Sequence, residues 1–221
     1  MSQIIIGYMT EGSTDRRFLQ SIIERTFVSV GFECNNQIEV ISPIVEIEKP
    51  SNTEFVAQIF EGSKLAREKG VMVLCIHVDA DARNDDSVFQ HKITPALNML
   101  ERIDDDSGCR NLVAVVPVHM TESWMLADKS LLKDEIGTGM SDTDLGISKN
   151  PEVIADPKAV ISNAIRIART SLPRRRRKDL CIAELYQPIG QKVALERLEN
   201  LPSFRKFEEA VRGAYRLLNY L

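Results

Sequence analysis

From Val71 to Val78 the chain is apolar at nearly every position, Val-Met-Val-Leu-Cys-Ile-His-Val, and it then stops abruptly in Asp79-Ala-Asp81. A short continuous apolar run, rich in β-branched residues and introduced by Gly70, predicts a buried strand. Gln3 to Met9 and Leu112 to Val118 are runs of the same kind. Gln37 to Ile47 alternates more weakly, and its Pro43 places that strand at an edge or a bulge. Between these runs the spacing turns helical. Phe18, Leu19, Ile22, Ile23, Phe27 and Val30 form one apolar stripe, closed by Gly31. Phe55, Val56, Ile59, Phe60 and Leu65 form a second after Pro50-Ser51-Asn52; Ile93, Leu97, Leu100 and Ile103 form a third. Ser13 or Thr14 is the expected cap of the first helix, with Asp15 in its first turn. Strand and helix alternate through this region, which predicts a mainly parallel α/β sheet flanked by helices with right-handed crossovers.

Beyond residue 128 the pattern changes. Gly137 to Gly146 is loop-like, and a helix is expected after Asp156-Pro157, where Pro suits the first turn. Pro173-Arg-Arg-Arg-Arg-Lys178 interrupts. The tail through Leu195, Leu198, Phe204, Phe207, Val211, Ala214 and Leu218 is amphipathic and helical. The reading is therefore a Rossmann-like core over residues 1–128 and a helical C-terminal part, residues 129–221, packed on it.

Composition removes several classes of function. Cys34, Cys75, Cys109 and Cys181 are scattered with no CxxC pair, which points to reduced thiols in the cytoplasm, not a disulfide frame or zinc site. The first residues show no basic stretch followed by a long apolar one, so no signal peptide is expected. No apolar run approaches the ~20 residues of a membrane span, so no membrane partner is expected. A net charge of −4 gives no global sign of a nucleic-acid binder, although such binding needs only a local basic surface. No P-loop signature occurs, which argues against a nucleoside triphosphatase.

The candidate chemistry lies where strands end. Residues two apart on a strand point the same way, so Asp79 and Asp81 share a side if the pleat continues past Val78. Glu11 stands on the turn between the first strand and helix, beside Gly12, and Glu122 follows the fourth strand. In open α/β sheets ligands bind at the carboxyl ends of the strands. Close carboxylates repel, and a hard divalent cation relieves that repulsion. Glu11, Asp79 and Asp81 are thus expected to converge within roughly 4–8 Å around one or two Mg²⁺ or Mn²⁺ ions. Asp79 and Asp81 would be ligands, Glu11 a ligand or the general base, and Glu122 a fourth carboxylate. Asp15 would bind a second metal or serve the helix end. Arg16 and the run Arg174, Arg175, Arg176, Arg177 and Lys178 are the candidate phosphate contacts or solvated surface. His77 reads as a core imidazole, Trp124 and Met125 as packing between the two parts, and Asp104 to Asp106 as a solvated turn.

These acids, in this order, resemble the Toprim domain of topoisomerases, primases, recombination proteins and the overcoming-lysogenization-defect nucleases. Gly7-Tyr-Met-Thr-Glu11-Gly12-Ser-Thr-Asp15 is similar to that family's strand–Glu–Gly turn, and Val78-Asp79-Ala80-Asp81 to its Asp-x-Asp. A closer similarity is to small stand-alone bacterial Toprim-like proteins. It rests on Glu122-Ser-Trp124-Met-Leu-Ala-Asp128, Tyr186-Gln-Pro188-Ile-Gly190 and Pro202-Ser-Phe204. Some relatives have Lys in the Tyr segment, where this chain has Gln187. The resemblance implies a Mg²⁺- or Mn²⁺-dependent nuclease acting on DNA or RNA, with a role in phage defence. Partners in view are nucleic acid, an ATPase and further copies of the chain, as a homo-oligomer. The competing expectation is a Toprim subunit that binds nucleic acid or the ATPase without cutting.

Overall fold

Sixteen strands and α-helices follow one another along the described residues of the computed structural model: 2–50, 54–103, 107–170, 172–173, 175–176 and 179–221. The first half runs β1 (Ser2–Ile4), β2 (Ile6–Met9), α1 (Ser13–Gly31), β3 (Ile38–Val40), β4 (Val45–Glu46), α2 (Phe55–Glu68), β5 (Val73–His77), α3 (Asp86–Val88), α4 (Thr94–Leu100) and β6 (Leu112–Val115). A π-helical stretch, Phe89–Ile93, joins α3 to α4. The second half is helical among the described residues: α5 (Glu122–Met125), α6 (Lys129–Ile136), α7 (Pro157–Ala168), α8 (Tyr186–Lys192), α9 (Leu195–Leu198) and α10 (Pro202–Leu217).

The main sheet has the order β4-β2-β5-β6, with every pairing parallel. β1 and β3 continue the β2 and β4 lines at their amino ends, also in parallel. Pro43 falls in the break between β3 and β4, on the sheet edge, where a residue without an N–H is tolerated. This is a Rossmann-like α/β fold.

Period-two alternation assigns the two faces of the central strand. Val73 and Cys75 join Ile6, Tyr8, Val113 and Val115 under α1 and the C-terminal helices. Leu74, Ile76 and Val78 join Met9 and Ile47 against α2 and α4. α1 buries all six residues of its predicted stripe. Its N-cap is Gly12, with no side-chain cap bond, so neither Ser13 nor Thr14 caps it. Asp15 does occupy the first turn, and its Oδ2 lies 3.0 Å from where a Cβ on Gly12 would be. α7 begins as the sequence suggested, with Pro157 at its start and Asp156 Oδ1 accepting from the Ala159 amide at 2.8 Å.

The C-terminal helices complete a face of the sheet, so one apolar cluster runs from Ile4 to Tyr215. α8 lies directly on α1: a Cβ on Gly190 would sit 2.3 Å from the Phe18 carbonyl oxygen. Arg25 of α1 fixes that approach, donating to the carbonyls of Val193 and Gly190 at 2.7 Å each. Burial holds its guanidinium below the usual arginine range. Trp124 is fully buried between the two halves. It packs on Phe204 and Phe207, and its Nε1 donates to Ser203 Oγ at 2.8 Å.

One stretch differs from its sequence reading. By its composition Arg83-Asn-Asp-Asp86 reads as a polar loop, yet Asp85 is 3% exposed and accepts from Lys206 Nζ of α10 at 2.6 and 2.8 Å. A charge run hides a buried member when its partner lies 121 residues away. The turn at Asp104 to Asp106 lies outside the described residues, as do Arg174, Arg177 and Lys178. The four cysteines are free, and no described helix is long and apolar enough to cross a membrane.

Candidate acidic site at the strand ends

β2 is flanked by β4 on one side and β5 on the other, so its chain leaves the sheet where strand order reverses. That crevice is where open α/β sheets place ligands. Glu11 follows β2 and Asp79 follows β5, so the two acids leave adjacent strands. Their side chains then take different partners. Exposed Glu11 faces Lys49, beyond β4, with Oε1 3.8 Å from Nζ. Asp79 leans toward the chain beyond β6. Its Oδ1 accepts from the Thr121 amide at 2.9 Å and the Thr121 hydroxyl at 3.3 Å, and lies 3.1 Å from His77 Nε2.

Parallel pairing outlasts the regular strand. Val78 N–H donates to Val115 O and Ala80 N–H to Pro117 O, each at 3.1 Å. The pleat ends at Asp81, whose φ of 52° is left-handed. Asp81 N–H donates to His119 O, and His119, with φ 60°, donates back to Ala82 O. Two non-glycine residues in this conformation cost on the order of 1 kcal/mol or more each, and such strain gathers at functional sites. The turn leaves Asp81 exposed, off the line set by Asp79.

His77 is buried, and its Nδ1 has no hydrogen-bond partner. The geometry therefore puts the ring proton on Nε2, where it meets Asp79. His119 Nε2 and Ser123 Oγ are likewise buried without partners.

The charges of Glu122, Asp15 and Asp79 all bear on one buried phenol, Tyr186. Glu122 opens α5 and is 5% exposed. The Tyr186 hydroxyl of α8 donates to its Oε1, and Lys158 Nζ of α7 lies 3.9 Å from the same oxygen. Burial first, then the bond to Glu122 and its charge, and then the charges of Asp15 and Asp79, push the Tyr186 phenol far above its ordinary value. One hydroxyl thus senses three carboxylates from three segments. Among the described residues no three His, Cys, Asp or Glu side chains stand close enough to hold a metal ion as they are.

The basic candidates are dispersed. Arg16 is paired with Glu46 at 2.7 Å. Arg175 and Arg176 are exposed, beyond the far end of α7 from Lys158. Tyr186, Thr121 and Lys158 carry no role in the sequence reading. Tyr186 opens the Tyr-Gln-Pro-Ile-Gly segment, but a phenol 64 residues from its carboxylate leaves no spacing to read.

These surroundings predict the alkaline behaviour. Burial pushes Tyr8 up to about 12, and burial also lifts Tyr186 and Tyr215. Each folded value lies above the unfolded value near 10, so the stabilisation is complete below about pH 10 and is lost as pH rises toward the folded values. In an alkaline titration, phenolate absorbance from these three tyrosines should rise together with loss of near-ultraviolet circular dichroism. Ionisation of all three while the fold persists would contradict the burial argument.

No curated protein and no solved structure matches this sequence. The family model described as a domain of unknown function, DUF4276, matches residues 10–212. The chain therefore belongs to the DUF4276 family.

Proposed function

We propose that this protein is a metal-dependent nuclease that hydrolyses phosphodiester bonds of DNA or RNA. The observation that carries the reading is the placement of acids just beyond three adjacent parallel strands, Glu11 and Asp15 after β2, Asp79 after β5 and Glu122 after β6, with Glu122 bonded to the buried Tyr186 hydroxyl. The donor chemistry fits Mg²⁺ or Mn²⁺: every acid is a hard oxygen donor, and acids at one end of the sheet suit a divalent cation. Asp79 and Glu122 would hold the ion, with Asp15, Asp81 or Glu11 completing the set. Bound there, the ion would supply an activated water and charge neutralisation at the phosphate. The protein's own part is orientation. Thr121 and His77 fix one oxygen of Asp79, and Tyr186 and Lys158 fix one oxygen of Glu122.

A setting in the cytoplasm, an ATPase partner and a role in phage defence extend this proposal on the strength of the Toprim resemblance. The competing reading is a subunit that binds nucleic acid or an ATPase without cutting. Its support is that no described trio of acids already stands at ligand separation.

Calorimetric titration of Mn²⁺ into metal-free protein separates the two. Wild type should bind one or two ions. Glu122→Gln should weaken binding about 10-fold or more, and Tyr186→Phe, which removes the donor that orients Glu122, by a smaller factor. No binding by wild type would put the non-cutting subunit ahead.

A further inference from the structure

α1 and α8 both start beside the acids, α1 near Asp15 and α8 with Tyr186 itself. Along the solvent side of their contact lies a cleft of about 320 Å³. Its lining is polar. α1 contributes Arg17, Gln20 and Ser21, with Glu24 and Arg25 further along; α8 contributes Gln187 and Gln191. Several of these groups are already engaged. Arg25 is held by the carbonyls of Gly190 and Val193 and by Ser21 Oγ, so it forms a fixed floor. Glu24 accepts from Ser42 Oγ at 2.6 Å. The others stand ready. Among the described residues, the amides of Gln20, Gln187 and Gln191 have no protein partner, and Arg17 makes only a long 3.4 Å bond from Nε to Ser13 O.

We infer that this cleft holds one nucleotide of a single-stranded nucleic acid, next to the phosphate presented to the acidic site. The inference rests on the nuclease reading for the position of that phosphate. The volume is at the lower end of small-molecule sites, which suits one nucleotide. A concave cleft between two helices takes a splayed strand, whereas a duplex presents its backbone to broader surfaces. Arg17 contacts phosphate. The three amides, each a donor and an acceptor, read base edges. Among the described residues no aromatic side chain lines the cleft, so stacking, the sequence-tolerant way to hold single strands, is not used here. Recognition through amides makes the cleft selective for the base.

The test measures fluorescence anisotropy of labelled single strands of about 12 nucleotides, within the span of one strand-binding module. All-adenine, all-cytosine and all-thymine DNA and their RNA counterparts are compared with a duplex, in EDTA over a salt series. Wild type should prefer one base and bind single strands over duplex. Gln187→Ala with Gln191→Ala should lose about 10-fold in affinity for the preferred strand and most of the preference, with unchanged salt slope and melting temperature. Arg17→Gln should weaken all strands alike and lower the salt slope by about 0.7, the share of one phosphate. Variants that bind with wild-type affinity and preference overturn the inference, as does tighter binding of duplex or no binding by wild type. Because EDTA removes metal, lost binding in these variants beside absent cleavage in any metal would sink the nuclease reading alone. Normal binding beside an inactive Asp79→Asn would sink the cleft alone.

Discussion

Asp79→Asn should abolish Mg²⁺- or Mn²⁺-dependent cleavage of DNA or RNA while leaving the fold intact. Asn keeps an oxygen in the place of Oδ1, so the bonds from the Thr121 amide and from His77 can persist. What it loses is the charge that would hold the cation and stabilise the transition state. A loss of several kcal/mol there corresponds to ~10³-fold or more in rate. Stability should change by about 1 kcal/mol or less, since one charged acceptor becomes neutral while repulsion among Asp79, Glu122 and Asp15 eases. Glu61→Gln, on the exposed surface of α2 beside Lys64, is the matched control and should cleave like wild type. Cleavage should be followed on labelled DNA and RNA with each metal, with circular dichroism confirming the fold. Equal rates for Asp79→Asn and wild type would remove Asp79 from the chemistry.

The largest effect on stability should come from Gly190→Ala. The added methyl would sit 2.3 Å from the Phe18 carbonyl oxygen and 2.8 Å from its Cα, both backbone atoms of α1. Rotating a side chain cannot relieve that contact, so α8 must back away. The move would pull the Gly190 carbonyl from Arg25 and the Tyr186 hydroxyl from Glu122. Overpacking of this kind should cost about 3 kcal/mol. In a chain of this length that lowers the melting temperature by roughly 6–12 °C. Gly213→Ala is the opposite case. It lies inside α10 with nothing within 4 Å of the new methyl, so it should stabilise by about 0.5–1 kcal/mol. Calorimetric melting of both variants is decisive: Gly190→Ala melting with wild type would mean that α8 does not depend on this approach.

Much of the architecture was legible because it follows from local periodicity. The stripe from Phe18 to Val30, the apolar run into Asp79 and the Asp156-Pro157 helix start each state their element within a few residues. Strand order is a different kind of information. Nothing local says that β2 lies between β4 and β5, although that order makes Glu11 and Asp79 neighbours. The site was half legible for the same reason. Acids at strand ends could be located, but the directions of their side chains depend on partners remote in sequence. Glu11 meets Lys49, Asp79 accepts from Thr121, and Tyr186 donates to Glu122. The left-handed turn at Asp81 also escaped, because Asp is no stronger a signal for that conformation than for an ordinary strand end.

The union of the late helices with the early sheet sets an order of events during synthesis. A ribosome releases β2, β5 and Glu122 well before Tyr186, Phe204 or Phe207 exist. Until then Trp124 and the part of that sheet face that α1 leaves open lack their covering helices, and the buried carboxylate of Glu122 has no phenol to meet. Acids and phenol can reach their final arrangement only after α8 docks on α1. A nascent chain is thereby kept from assembling its acidic site early, a useful delay for a protein proposed to cut nucleic acid while still attached to a messenger RNA.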